Sequence, residues 1–369
     1  MAWHIPTSTS AAGAVVTMAA NDSVFIYRDV TISSSGAAIV GNVDNVFARI
    51  QGTVIGGAGA MSLGTIPGNG IGPEVIIERG GEILSMQGGV AVAVKGLQTS
   101  LNNAGLIFNY GGGGVSLETA GTVTSSTVVN SGTIKGTTWG FTRNSSFSTE
   151  KVVFTNSGLL QGGEKAYHGS FGSETVAIDL LTNTGRIIGV VDLSGGNDKY
   201  LGAAGRLTGK LFCDDGVDVA IGGIDNDWFE GGKDNDTLTG NSGNDTLRGD
   251  AGNDILNGGL GKDTMTGGTL NDTFKFTALT HSKTGALADI INDFDDSGND
   301  RIDLSAVYGP KLVYKHGAAF TAVGQVRVND VAGADVLVEV NTAGSLAADF
   351  VIRLKGTTLG SMTATDFVL

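Results

Sequence analysis

Seven aspartates recur at intervals of nine residues: Asp218, Asp227, Asp236, Asp245, Asp254, Asp263 and Asp272. From Asp227 on, each follows a Gly-rich run and precedes, by two positions, a large apolar residue. The units read Gly222-Gly223-Ile224-Asp225-Asn226-Asp227-Trp228-Phe229-Glu230, then Gly231 to Thr239, Gly240 to Arg248, Gly249 to Asn257, Gly258 to Thr266 and Gly267 to Phe274. A carboxylate is a hard oxygen ligand that suits Ca²⁺ better than a soft metal. Glycine permits the φ > 0 turns that bring backbone carbonyls inward beside it. The predicted chemistry is therefore calcium binding by the seven aspartates, with backbone carbonyls near Gly222, Gly231, Gly240, Gly249 and Gly258 as partners and several ions per chain.

Such a repeat needs an element that returns every carboxylate to an edge. Period nine with Gly-Gly-x-Gly-x-Asp-x-U-x units predicts a parallel β-roll with two nonamers per coil. Phe229, Leu238, Leu247, Leu256, Met265 and Phe274 fill a thin core. Alternate aspartates then stack: Asp227, Asp245 and Asp263 on one edge, Asp218, Asp236, Asp254 and Asp272 on the other, with rungs ~4.8 Å apart. The first unit, Cys213 to Ile221, lacks the leading glycines. Gly195-Gly196-Asn197-Asp198 reads as a stray unit out of register. These residues resemble the RTX (hemolysin-type) repeats, which implies Ca²⁺ between successive turns.

Downstream, Asp289-Ile290-Ile291-Asn292-Asp293-Phe294 and Gly298-Asn299-Asp300-Arg301-Ile302-Asp303-Leu304-Ser305 resemble the C-terminal domain of the serralysin proteases. The resemblance implies a cap on the roll and an export signal. Val336 to Val340 and Phe350 to Leu354 pattern as strands, and the ending Asp366-Phe367-Val368-Leu369 looks like an uncleaved type I secretion signal.

The first half carries a looser repeat: Gly52, Gly81, Gly105, Gly132, Gly158 and Gly185 each open a Gly-x-[Ile/Leu/Val] unit. Asn103, Asn130, Asn156 and Asn183 stand two residues before the last four, and β-rich runs such as Val176 to Leu181 precede them. A period near 26 with three short strands predicts a parallel β-helix. The asparagines are expected at αL bends, bonded in a ladder. The units resemble the β-helix stalks of adhesins and autotransporters; an antiparallel sandwich is the alternative. The expected fold is thus all-β: a parallel β-helix (1–200) continuing as one rod into a calcium β-roll (201–275), then a β-rich cap with the secretion signal (276–369).

Composition supports this and narrows the function. There are 60 glycines but 4 prolines, and 41% of the chain is hydrophobic, so stacked turns fit better than disorder. Net charge is −14, and 18 of the 37 acidic residues are aspartates between Asp214 and Asp303. That acidity opposes binding to nucleic acid and to anionic membranes. No apolar stretch is long enough for a membrane span. Met1 to Pro6 has no basic n-region, so export would use another signal. Cys213 stands alone and reads as a small buried residue.

Neither His-Glu-x-x-His nor Gly-x-Ser-x-Gly occurs, and the four histidines are scattered. The densest candidate for catalysis is Glu164-Lys165-Ala166-Tyr167-His168, with Arg143 and Lys151 a coil earlier; the alternative places it in an ordinary exposed loop. No catalytic residue is assigned. The expectation is a secreted, extracellular bacterial protein handled by a type I secretion apparatus, with an adhesin-like surface or matrix role. Extracellular polysaccharide or a cell surface is its expected partner. A polysaccharide-modifying enzyme of the alginate epimerase or lyase kind is the second reading.

Overall fold

Gly-x-[Ile/Leu/Val] units leave one apolar position per short strand, and a chain that repeats them can bury those positions only by stacking coil on coil. The computed structural model describes residues 2–5, 9–11, 15–64, 72–118, 125–144, 151–169, 177–202, 204–295, 300–331 and 335–369. Met1, Pro6, Val176, Gly298 and Asn299, cited above, lie outside them. Among the described residues the elements are β-strands and three short 3₁₀ turns, and no helix is long and apolar enough to cross a membrane. The chain divides into two compact units, residues 1–211 and 212–369.

In the first unit every strand pairs in parallel, which sets aside the antiparallel sandwich. Each coil has three strands, and three apolar columns result. Val75, Leu101, Val128, Phe154 and Leu181 stack on one face. Val54, Ile83, Ile107, Ile134 and Leu160 stack on the second. The third runs Leu63, Val94, Leu117 and then, against the pattern, Arg143. All are buried. Each fully buried aliphatic contributes ~1.5–3 kcal/mol.

The asparagine ladder forms. Asn103 donates to Asn130 at 2.8 Å, Asn130 to Asn156 at 2.7 Å and Asn156 to Asn183 at 2.9 Å, all wholly buried. The αL expectation is corrected: these residues end strands and are not among the positive-φ residues. The Gly of Asn-x-Gly donates its N–H to the Asn oxygen (Gly105 to Asn103 and Gly185 to Asn183, both 3.2 Å). It must be glycine because a Cβ on Gly132 or Gly158 would collide with the carbonyl of Gly105 or Gly132 one coil earlier.

Near the end of this unit the coil shortens. Leu180 pairs with Lys199 and Ile187 with Leu207, separations of 19 and 20 residues obtained by subtraction, against 26 and 27 in the asparagine ladder.

In the second unit the coil has two strands. Thr237–Ser242 pairs with Ile255–Leu260, and Trp228–Lys233 with Thr246–Ala251 and then Thr264–Thr269, all parallel. Phe229, Leu238, Leu247, Leu256, Met265 and Phe274 are each fully buried, as is Cys213. The strands Asp289–Ile291 and Arg301–Asp303 extend the two sheets. Gln325–Val331, Asp335–Asn341 and Phe350–Lys355 then form an antiparallel meander whose last strand lies parallel to Asp289–Ile291.

Candidate metal centre

From Gly231 onward the nonamers turn with left-handed backbone at the second position, and all but one of them also at the fourth. Gly232, Asn241, Asp250, Gly259 and Gly268 have positive φ at the second; Asp234, Gly243, Gly261 and Leu270 have it at the fourth. The first-position glycine does something else, which corrects the uniform role expected for these glycines. A Cβ on Gly222 would press on Asp227 Oδ2 and the Gly240 carbonyl; on Gly240, on Asp245 Oδ2 and the Gly258 carbonyl. Gly231 and Gly249 repeat this with Asp236 and Gly249, and with Asp254 and Gly267. The missing Cβ thus leaves a small space where a carboxylate oxygen and the carbonyl of the next coil converge.

The aspartates stack as two edges. On one, Asp227 N–H donates to Asp245 Oδ1 and Asp245 N–H to Asp263 Oδ1, both at 2.8 Å. On the other, Asp218 N–H donates to Asp236 and Asp236 N–H to Asp254 at 2.8 Å, and Asp254 N–H to Asp272 at 2.9 Å. All seven side chains are at most 5% exposed. One oxygen of each pair is therefore tied to the neighbouring coil. The other, Oδ2, is buried without a hydrogen-bond partner in Asp236, Asp245, Asp254, Asp263 and Asp272. Asp227 differs, its Oδ2 accepting the Gly223 N–H at 2.8 Å.

Burial pushes the carboxyls of Asp227, Asp236, Asp245, Asp254, Asp263 and Asp272 above the usual 3.8. The bond from the neighbouring N–H pulls them back in part, and adjacent carboxylates raise several again. Asp227, Asp254 and Asp263 reach about 6, Asp245 and Asp272 about 7, and Asp236 about 8. A buried carboxylate with an open oxygen calls for a counter-charge. Among the described residues no three His, Cys, Asp or Glu side chains converge on one point, so a cation must draw on carbonyls as well. One or two carboxylate oxygens plus main-chain oxygens in a glycine cradle is the hard donor set that Ca²⁺ takes. The residues present fit calcium.

The sequence missed several members. Asp289 and Asp300 continue the two edges, accepting the N–H of Asp263 at 2.8 Å and of Asp272 at 2.9 Å. Asp198 accepts the Asp179 N–H at 2.6 Å, so the unit taken as stray makes the same bond. The signal available was Asp-x-U without the period: Asp198-Lys199-Tyr200, Asp289-Ile290-Ile291 and Asp300-Arg301-Ile302 each place a buried residue at U. Position five holds a further ladder: Asn244 N–H donates to Asn226 Oδ1 and Asn253 N–H to Asn235 Oδ1, both at 2.7 Å.

The segment around Tyr167 corrects its reading as an ordinary exposed loop. It is the strand Leu159–His168, not a loop. Tyr167 and Arg143 are wholly buried, and Arg143 donates to Asp179 at 2.8 Å. Glu164 is exposed and Lys165 pairs with Asp192. Tyr167, offered for proton abstraction, is thus away from the surface, while His168 Nε2 lies 3.8 Å from the Asp192 carboxylate that Lys165 also engages.

Residues 214–247 and 239–274 match the family model of the RTX calcium-binding nonapeptide repeat, which describes four copies. No curated protein matches the chain. Among solved structures, the AlgE6R3 subunit of the Azotobacter vinelandii mannuronan C5-epimerase is 32% identical over 39% of this chain and 78% of that one, with a TM-score of 0.32. The AlgE6R2 subunit from the same epimerase is 27% identical over 38% of this chain and 88% of that one, with a TM-score of 0.30.

Proposed function

We propose that this chain, whose residues 214–274 are RTX calcium-binding repeats, is a secreted protein that folds its roll on meeting extracellular calcium. The observation that carries the reading is the row of buried aspartates whose Oδ2 atoms face glycine cradles without a partner. Where calcium is scarce the carboxylates are desolvated like charges and the coil is held open. Where it is millimolar, the ions neutralise each edge, and their binding energy becomes folding energy. The ligands in this reading are Asp218, Asp227, Asp236, Asp245, Asp254, Asp263 and Asp272, with carbonyls near Gly222, Gly231, Gly240, Gly249 and Gly258. An unfolded acidic segment suits passage through a type I secretion apparatus, and folding outside prevents return.

In this reading residues 1–200 form the presenting β-helix, 201–275 the roll, and 276–369 the cap with the export signal. The helix would present its outward polar rows to a cell surface or matrix polysaccharide, an adhesin-like task. Support comes from a first unit in which Tyr167 and Arg143, two of the candidate groups, are sequestered in the core rather than displayed.

Far-UV circular dichroism of the purified chain, titrated from EGTA into millimolar CaCl₂, tests the folding step. A cooperative gain of β signal is expected; a spectrum indifferent to calcium would overturn it. For the helix, saturable binding to a polysaccharide panel without product is expected, whereas uronate release or epimer change would transfer the assignment to an enzyme.

A further inference from the structure

The nonapeptides stop at Phe274, but one edge does not. Asp263 N–H donates to Asp289 Oδ1 at 2.8 Å, and Ile290 N–H donates to the Asp263 carbonyl at 2.9 Å. These two bonds are those that bind each coil of the roll to the next: Asp245 N–H to Asp263 Oδ1, and Thr264 N–H to the Asp245 carbonyl, both 2.8 Å. Asp289 is therefore a rung in geometry, although 26 residues separate it from Asp263. Its side chain is 0% exposed and its Oδ2 has no hydrogen-bond partner; Asp263 Oδ2 is in the same state. The position is built: Ser282 Oγ accepts the Asp289 N–H at 2.8 Å and donates to the Val351 carbonyl at 2.5 Å, fixing Asp289 against the C-terminal meander.

The opposite edge ends otherwise. Asp300 Oδ2 accepts the Asp295 N–H at 2.9 Å, and Asp293 takes the Gly267 and Gly268 N–H groups, one on each oxygen, at 2.9 Å. Its last carboxylates are engaged by backbone donors. On the first edge two buried carboxylate oxygens of neighbouring rungs have no hydrogen-bond partner, a costly arrangement without a cation.

We infer that Asp263 and Asp289 together hold a further divalent hard cation, calcium in the protein's working medium, at the junction of the roll with its C-terminal cap. This rests on the calcium reading above and extends it beyond the repeats. No glycine cradle precedes Asp289, since Gly285 faces open space. Fewer main-chain oxygens are then within reach, water completes the shell, and the site fills last in a titration. The ion ties the cap to the roll, so its loss loosens the meander before the repeats unfold.

Crystals of the full chain grown in calcium, with anomalous differences collected at long wavelength, decide the matter. Ions in the glycine cradles and a further ion beside Asp289 Oδ2 are expected. Ions in the cradles and none at Asp289 would overturn this inference alone, whereas no ions anywhere would overturn the calcium reading and this site with it. By calorimetry, Asp289→Asn should bind one ion fewer, the tighter sites keeping their affinities. An unchanged ion count in folded Asp289→Asn contradicts the assignment; if that variant does not fold, the wild-type crystals decide.

Discussion

Two ladders of nearly isosteric side chains run through this chain, and they solve the same problem in opposite ways. In the first unit Asn103, Asn130, Asn156 and Asn183 each carry an acceptor and donors. The amides bond to one another and to strand carbonyls such as Thr133 and Leu159. That ladder is neutral. In the second unit an aspartate stands at each rung and has only acceptors. One oxygen is satisfied by the neighbouring N–H, and in Asp236, Asp245, Asp254, Asp263 and Asp272 the second has no hydrogen-bond partner within the protein. Exchanging one NH₂ for one oxygen converts a self-sufficient coil into one that must import positive charge.

The comparison breaks most sharply if the two chemistries are exchanged. Asn130→Asp puts an acceptor against Asn156 Oδ1 and the Leu159 carbonyl inside an apolar core. It should destabilise the first unit by about 3 kcal/mol at neutral pH, the scale for an unsatisfied buried polar group, and recover in part on acidification. Thermal unfolding at pH 5 and pH 8 checks this; an unchanged midpoint would show that the amide donors are dispensable.

Asp245→Asn is the converse. It keeps the shape of the rung but removes a charge shared with Asp227 and Asp263. The calcium midpoint should rise about tenfold, equivalent to ~1.4 kcal/mol, while calcium-free structure is no worse than wild type. A titration superposable on wild type would remove Asp245 from the ligand set.

Proton competition comes next. With calcium withheld, the roll carboxyls titrate at about 6 to 8 when folded, against 3.8 ordinarily. The folded state therefore binds more protons than the unfolded one over this range, and stability falls as pH rises from about 4 to about 8. Calcium-free chain should show more β signal at pH 5 than at pH 8. Added calcium should reverse the order, since ions displace the protons. A calcium-free signal flat across this range would contradict the buried-carboxylate picture.

Smallest is Leu270→Gly. Leu270 sits at φ 82 where a neighbouring repeat uses Gly261, and it is 66% exposed. Relief of left-handed strain should stabilise the calcium-loaded roll by ~1 kcal/mol, read as a higher melting temperature; a lower one would mean that Leu270 packs in a way its exposure does not show.

Periodicity made much of this legible in advance. Nine-residue spacing determined both aspartate edges and the six buried U residues from Phe229 to Phe274, because two strands of fixed length per coil leave no freedom. The asparagine ladder was equally readable from Asn-x-Gly. Legibility failed where the loop between rungs changes length. Asp289 and Asp300 follow their partners by 26 and 28 residues instead of 18, since a rung requires only that Asp-x-U return to the edge. The Arg143–Asp179 pair was hidden for another reason: it joins residues 36 apart, and Arg143 occupies a column otherwise filled by Leu63, Val94 and Leu117. No local pattern marks a cation placed inside.

The most direct test of the contrast is hydrogen–deuterium exchange by mass spectrometry on the intact chain, in EGTA and in millimolar calcium. Amides of residues 219–275 should exchange rapidly without calcium and become protected with it, while those of strands Ser100–Asn103, Leu106–Asn109, Ser125–Asn130 and Thr133–Gly136 stay protected in both. Equal protection of both segments in EGTA would contradict the account, because it would mean that the aspartate ladder holds itself together as the asparagine ladder does.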